Sequence, residues 1–130
     1  MNVRSTPWGP VQQQEAIAPG LVSVSTSGHG GLCLSVDRWA AIIKAFPDFH
    51  GYAGDGFLEV DVDWAVAAIF WPGEFPVRWV HFAVKTVQDY QSSFTKKAGG
   101  WYFGTAREWL LSDAGAEARR IAGTYQEGGL

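Results

Sequence analysis

The chain has 130 residues, of which 47% are hydrophobic and 18% charged, and its net charge at neutral pH is −3. This size and composition are typical of one compact globular domain, so we expect a single domain over residues 1–130. Its one cysteine excludes an internal disulfide and a thiolate metal cluster, which favours a reducing compartment. No targeting signal begins the chain and no apolar run approaches the roughly 18 residues of a membrane span, so we expect a cytoplasmic protein.

The first predicted elements are two strands that flank a glycine-rich loop. Apolar and polar residues alternate over 20–26 and again over 31–35, which is the period of half-buried strands. The stretch SGHGG lies between them and allows a tight turn, so the two strands are predicted to form a hairpin with His29 in its loop. We expect His29 to pin this loop through a hydrogen bond.

A helix is predicted directly after the second strand, over residues 36–46. Ser35 can cap it, Asp37 suits its first turn and Pro47 ends it. Its apolar residues recur at the spacing of a single helix face, which predicts a helix that packs on the core.

The next segment, FLEVDVDWAVAAIFWP from residue 57, is predicted to begin as a strand and to continue as a helix. As a strand, it would alternate Leu58, Val60 and Val62 on one face with the carboxylates on the other. From Trp64 onward, the spacing of apolar residues fits a helix. We expect the change near residues 61–63, with one aspartate capping the helix.

The C-terminal half is predicted to be mainly helical. Pro76 and a long apolar stripe indicate one helix over residues 75–94, and a T-x-x-E capping box indicates another over 105–111. A last helix is expected from 113 to about 125. The predicted fold class is therefore α+β, with a small antiparallel sheet from the N-terminal half packed against several helices.

Four carboxylates lie close together in the sequence, namely Asp55, Glu59, Asp61 and Asp63. Oxygen ligands of this kind hold hard divalent cations, but their spacing does not match the calcium-binding loop. We therefore expect no metal and no cofactor, and we interpret the cluster as a helix cap within an exposed acidic patch.

The segment KKAGGWYFG, residues 96–104, mixes lysines with aromatic residues as nucleic-acid platforms do. Residues 77–130 carry seven Lys and Arg against five Asp and Glu, whereas residues 1–76 carry three against eight. Because the whole chain is acidic, we do not expect direct nucleic-acid binding. Large aromatic residues also serve as anchors at protein interfaces, which makes Trp101 and Tyr102 candidate binding residues.

Several short motifs occur in a fixed order: TPWG at 6–9, IAPGLVSVST at 17–26, HGG at 29–31, LS at 34–35 and EVDVDWA at 59–65. Together, over about residues 6–72, they resemble an uncharacterised domain family of phages, plasmids and other bacterial mobile elements. The corresponding segment of that family is richer in acidic residues than EVDVDWA. The resemblance carries no known activity, but small proteins of mobile elements often protect the element against host defence.

The resemblance thus implies a non-enzymatic inhibitor, similar in kind to anti-CRISPR or antirestriction proteins. Its partner would be a host defence complex, either a CRISPR–Cas effector or a restriction enzyme, whose nucleic-acid site it blocks. Exposed carboxylates would meet the Lys and Arg side chains that such a complex uses for phosphate, with aromatic residues as anchors. The candidate binding residues are His29, Asp55, Glu59, Asp61, Asp63, Trp101 and Tyr102.

Two other functions stay open. A small hydrolase or transferase would require His29, Cys33, Asp61 and Asp63 to converge on one cleft, with His29 and Cys33 as the base and nucleophile of a covalent mechanism. A DNA-associated accessory protein would bind its ligand with strong salt dependence.

Overall fold

The computed structural model describes residues 1–126. The chain divides into two compact units, one formed by Met1–Trp64 and the other beginning at Ala65. The first unit contains all the strands of the described residues and one complete helix, and the second is built from helices. This distribution confirms the predicted α+β class with a mainly helical C-terminal half. No helix within residues 1–126 has both the length and the apolar character needed to cross a membrane.

The first unit contains two antiparallel sheets. A two-stranded sheet pairs β1 (Ser5–Thr6) with β2 (Gly9–Pro10). The larger sheet has the strand order β3 (Gln13–Ala18), β4 (Leu21–Ser25), β5 (Gly30–Leu34) and β6 (Phe57–Glu59). The pairing of β4 with β5 confirms the predicted hairpin. Strand β3 was not predicted, because its first residues are polar and exposed and show no apolar alternation.

The register of the larger sheet decides which side chains share a face. Val22 lies opposite Cys33, and Cys33 lies opposite Phe57, so these three side chains project from the same face. They belong to a small apolar cluster formed by Val3, Val22 and Val24, with Trp8, Val11, Cys33 and Phe57 packed against it. The opposite face carries the buried side chains of Leu21, Leu32, Leu34 and Leu58.

The predicted first helix is confirmed as α1 (Val36–Ala45). The Ser35 side chain accepts a hydrogen bond from the backbone N–H of Arg38, as expected of its N-cap. The start of the helix is also tied to the turn before β4, because the Ser35 N–H donates to the Gly20 carbonyl and Arg38 Nε donates to the Pro19 carbonyl. The start of β4 and the end of β5 are thereby both held beside the start of α1.

The strand-to-helix change after residue 57 is also confirmed. Strand β6 ends at Glu59, residues 60–63 form a turn, and α2 (Trp64–Phe70) follows. Because the strand stops at Glu59, the alternation of faces does not continue through the turn.

In the second unit, a short 3₁₀ turn (Pro72–Glu74) precedes α3 (Val77–Asp89), and α4 (Ser93–Lys97), α5 (Thr105–Leu111), a second 3₁₀ turn (Asp113–Gly115) and α6 (Ala116–Ala122) follow. The prediction of one helix over 75–94 is wrong. The backbone is extended at Tyr90, with φ −73° and ψ 130°, and Ser92 caps a new helix by accepting a hydrogen bond from the Thr95 N–H.

The predicted helix over 105–111 is confirmed as α5, although its N-cap is Gly104 and not Thr105. Helix α5 begins at Thr105 itself, and Gly104 is its N-cap at φ +54° without a side-chain capping bond. A glycine tolerates this backbone conformation without the steric cost that a Cβ would add.

Candidate functional site

Three segments that are distant in the sequence meet beside the β4–β5 hairpin. Trp8 comes from the turn between β1 and β2, His29 from the loop before β5, and Glu59 from the end of β6. The rings of Trp8 and His29 have centroids 5.6 Å apart, and His29 Nε2 lies 3.5 Å from Glu59 Oε2. These residues belong to the TPWG, HGG and EVDVDWA motifs. The three motifs are therefore in contact in the structure, although they are far apart in the sequence.

Glu59 organises the turn that leads into α2. Its side chain accepts three backbone N–H bonds, from Asp61 to Oε2 at 2.7 Å and from Val62 and Asp63 to Oε1 at 2.6 and 2.8 Å. A carboxylate has about four lone-pair positions, and three are used by these bonds. Glu59 is only 4% exposed, so its assignment to an exposed patch is corrected.

Asp63 is fully buried and holds a second loop. Its Oδ2 accepts a hydrogen bond from the Tyr52 N–H at 2.6 Å. The loop comes close at Gly51, where a Cβ would lie 2.9 Å from the same oxygen, and Gly51 has φ +70°. The expectation that Asp63 belongs to an exposed patch is therefore wrong, because its carboxylate is directed inward to a backbone donor.

Asp55 and Asp61 are the two carboxylates of the predicted cluster that are exposed. Between the buried Glu59 and Asp63, the apolar side chain of Val60 is 52% exposed. Two carboxylates, those of Glu59 and Asp63, are therefore buried at this turn, while Val60 and Asp61 are exposed. A buried carboxylate is uncommon in a globular protein.

The loop of the hairpin is held by hydrogen bonds between Thr26 and the backbone of Gly28 and His29. Thr26 Oγ1 accepts the N–H of Gly28 at 3.4 Å and of His29 at 3.1 Å, and it donates to the His29 carbonyl at 2.9 Å. The His29 ring is left to face Glu59 and Trp8, with its side chain 32% exposed.

Gly31 lets Trp8 and the neighbouring strand approach the hairpin. A Cβ at this position would lie 2.2 Å from the Leu58 carbonyl oxygen and 2.6 Å from Trp8 Cη2. The backbone N–H of Trp8 donates to Thr6 Oγ1 at 3.1 Å, and the Trp8 ring meets the Phe57 ring edge-on with centroids 5.9 Å apart. The glycine and the indole therefore fit together as one packing unit.

His29, Glu59 and Asp61 each offer a ligand atom within 4.8 Å of the other two. His and carboxylate groups are suitable ligands for a divalent cation. Both oxygens of Glu59 already accept backbone N–H groups, however, so the cluster is arranged around its own hydrogen bonds. Its clearest chemical capacity is to hold the His29 imidazole against a buried carboxylate.

The Cys33 side chain projects from the same sheet face as Val22 and Phe57, and it packs with them in the apolar cluster. Burial raises the pKa of its thiol above the ordinary value of 9.0. The thiolate is the nucleophilic form, and a raised pKa leaves little of it at neutral pH. Cys33 is therefore poorly suited to act as the nucleophile of the enzymatic alternative.

A family model described as "Domain of unknown function (DUF7007)" matches residues 2–121. The chain belongs to this family. The match confirms the expected membership of an uncharacterised family and extends beyond the 6–72 region of the resemblance, into α3, α5 and α6. No curated protein and no solved structure matched the sequence.

In this DUF7007 domain, the remaining candidates Trp101 and Tyr102 belong to the second unit. Trp101 is 41% exposed, and the Arg107 guanidinium carbon lies 4.1 Å from its ring centroid. Tyr102 is half-buried and meets the rings of Tyr90 and Phe103 edge-on. Of the two, Trp101 presents its ring to solvent.

The sequence indicated His29, Glu59 and Asp61 as candidate site residues, but Trp8 and Thr26 were not among the candidates. Trp8 carried a signal, because it stands in the TPWG motif of the resemblance. Thr26 carried one as well, since a threonine at the start of a glycine-rich turn is suited to bind nearby backbone N–H groups.

Proposed function

We propose that this chain is a binding protein that inhibits a host defence complex by covering its cationic nucleic-acid site. The observation that carries the proposal is the turn after β6, where Val60 and Asp61 are exposed while the carboxylates of Glu59 and Asp63 are buried. Apolar contact and complementary charge both contribute to protein interfaces, and these two exposed side chains offer one of each. We call Val60 and Asp61 the turn surface.

Hydrogen bonds hold the turn surface in one conformation before any partner binds. The three backbone N–H groups bound by Glu59 belong to Asp61, Val62 and Asp63. Binding costs free energy when a loop must be ordered, and a loop that is already ordered avoids that cost. The buried carboxylates of Glu59 and Asp63 therefore contribute to binding by holding the backbone in place, and neither contacts a partner directly.

Charge indicates the chemistry of the partner. Residues 1–64 carry seven Asp and Glu against three Lys and Arg, and the exposed Asp61 lies at the turn surface. Such a surface favours a partner rich in Lys and Arg, and nucleic-acid-binding proteins display these residues for phosphate. The resemblance to domains of mobile elements favours a defence complex among such partners.

Two cleavage assays test the proposal, one with a purified CRISPR–Cas effector and one with a restriction endonuclease. In each, DNA cleavage is measured at increasing concentrations of the full chain. Inhibition of at least one enzyme is expected. V60K/D61K should inhibit at least about fivefold less potently, because it removes the apolar contact and reverses the charge. The matched control is V36K/D37K, which changes another exposed Val–Asp pair of the same unit and should stay within about twofold of the wild type.

Failure to inhibit either enzyme would overturn the proposed function. Equal loss of potency in V60K/D61K and V36K/D37K would show that net charge, and not the turn surface, governs inhibition. Circular dichroism of both variants establishes that they are folded.

The second candidate is an enzyme of the hydrolase or transferase class, favoured by the 3.5 Å approach of His29 Nε2 to Glu59 Oε2. A carboxylate beside one imidazole nitrogen orients the ring, so the other nitrogen can accept or donate a proton. Hydrolysis of nucleotide and peptide ester substrates by the wild type and by His29→Gln tests this candidate. Equal rates in the two proteins would reject it.

A further inference from the structure

Residues 91–107 form the most basic stretch of this acidic chain. The stretch contains Lys96, Lys97 and Arg107 and has no Asp or Glu, although the whole chain has 13 of them. It also contains four aromatic residues, Phe94, Trp101, Tyr102 and Phe103. We call residues 91–107 the aromatic–basic segment.

Two of these aromatic rings are directed to solvent. Phe94 is 80% exposed and Trp101 is 41% exposed, whereas Phe103 is 1% exposed and belongs to the core of the second unit. Lys96 and Lys97 are exposed as well. Large exposed rings are unfavourable in water, so a pair of them beside two cations indicates a surface that binds a ligand.

Hydrogen bonds hold Gly100, which precedes Trp101, against the helix that carries the other exposed groups. The Gly100 N–H donates to the Thr95 carbonyl at 2.8 Å, and Gln91 Nε2 donates to the Gly100 carbonyl at 2.7 Å. Gly99 permits the reversal of the chain with φ +76°. The chain therefore folds back after α4, and Trp101 emerges beside the helix that carries Phe94 and the two lysines.

Arg107 supports the indole ring of Trp101. Its Nε donates to the Gln88 carbonyl at 3.1 Å, and its guanidinium carbon lies 4.1 Å from the Trp101 ring centroid. The hydrogen bond orients the guanidinium, and the cation–π contact orients the ring. Because Trp101 is still 41% exposed, part of its ring surface is accessible to a planar ligand.

We infer that the aromatic–basic segment binds single-stranded nucleic acid. Unpaired bases stack on exposed aromatic rings, and lysines beside the rings bind the phosphates that connect the bases. In a duplex the bases are stacked on each other and their faces are not accessible to Trp101 or Phe94. The overall charge of −3 is the reason why the sequence alone favours no direct nucleic-acid binding. That charge opposes long-range attraction, but it leaves the contacts made by the +3 segment intact. Because these contacts are to phosphates, affinity should fall as the salt concentration increases.

A fluorescence anisotropy titration at low salt tests the inference. The probe is a labelled thymidine oligonucleotide of about 20 nucleotides, to which the full chain is added. Trp101→Leu should weaken binding at least about fivefold, because it removes one stacking platform. Trp79→Leu is the matched control, since Trp79 is exposed to a similar extent, 37%, in the same unit. A duplex of the same length should bind at least about fivefold more weakly than the single strand.

A charge variant separates stacking from electrostatic attraction. K96E/K97E should lower the affinity and reduce the slope of log K against log salt by about 1.4, as expected when two phosphate contacts of a single strand are lost. Equal binding by wild type and Trp101→Leu, preference for the duplex, or no binding of the single strand at low salt would each overturn the inference. Since only residues of the second unit are involved, failure here would leave the proposed function of the turn surface unaffected.

Discussion

His29 Nε2 lies 3.5 Å from Glu59 Oε2, although the two residues are separated by a complete helix and a long loop in the sequence. The contact exists because β6 pairs with β5, which places Glu59 opposite Gly31 and close to the hairpin loop. The same carboxylate binds the backbone of the next turn. Glu59 therefore connects the hairpin loop with the turn surface.

Glu59→Gln should destabilise the protein by about 1–3 kcal/mol, the cost of leaving buried backbone donors without an acceptor. Glutamine keeps one acceptor oxygen, but its NH₂ group cannot accept the N–H bonds now made by the second oxygen. Urea unfolding measures the change. Glu15→Gln is the control, because Glu15 is exposed on β3, and equal stability of the two variants would contradict the structural role of Glu59.

Gly31→Ala should lower the free energy of unfolding by more than about 2 kcal/mol, because the new Cβ would overlap the Leu58 carbonyl oxygen and the Trp8 ring. The carbonyl is part of the backbone of β6 and cannot rotate away. Gly28→Ala is the matched control, since a Cβ at Gly28 would meet no atom within 4 Å. Thermal unfolding of both variants gives the comparison, and similar melting temperatures would disprove the close approach.

Thr26→Val should destabilise the hairpin loop by about 1–2 kcal/mol through the loss of its hydroxyl bonds to the loop backbone. His29→Gln should have a smaller effect, because the His29 side chain does not hold the loop. Chemical denaturation of the two variants distinguishes these roles. A larger loss for His29→Gln than for Thr26→Val would show that the His29 ring, and not the Thr26 hydroxyl, holds the loop.

The half-buried thiol of Cys33 should lower the free energy of unfolding in alkaline solution. Burial raises the pKa of its thiol in the folded protein above the ordinary value of 9.0, so the unfolded thiol ionises first as the pH increases. The unfolded state then binds fewer protons than the folded state, and the contribution of Cys33 to stability falls above about pH 9. The unfolding free energy of the wild type minus that of Cys33→Ala should be smaller at pH 10 than at pH 8. A constant difference would contradict a raised pKa.

Local patterns were sufficient for the elements whose signals lie within a few residues. Alternation over 20–26 and 31–35 predicted the hairpin of β4 and β5, and Ser35 with Pro47 predicted the limits of α1 within one residue. Periodicity alone did not reveal the break at Tyr90–Ser92, because the apolar stripe continues across it while Ser92 binds the backbone of a new helix.

The sequence by itself determined the fold class, the hairpin, α1 and the motifs that contain His29 and Glu59, since each depends on residue spacing within one segment. The tertiary structure decided which carboxylates are buried. Four acidic residues looked equivalent in the sequence, yet Glu59 and Asp63 are buried by backbone donors while Asp55 and Asp61 stay exposed. The reason is physical: a carboxylate can be buried only where hydrogen-bond donors replace its water. The donors to Glu59 belong to the turn that follows it, whereas the donor to Asp63 is the N–H of Tyr52, which the tertiary structure brings from a loop 11 residues away.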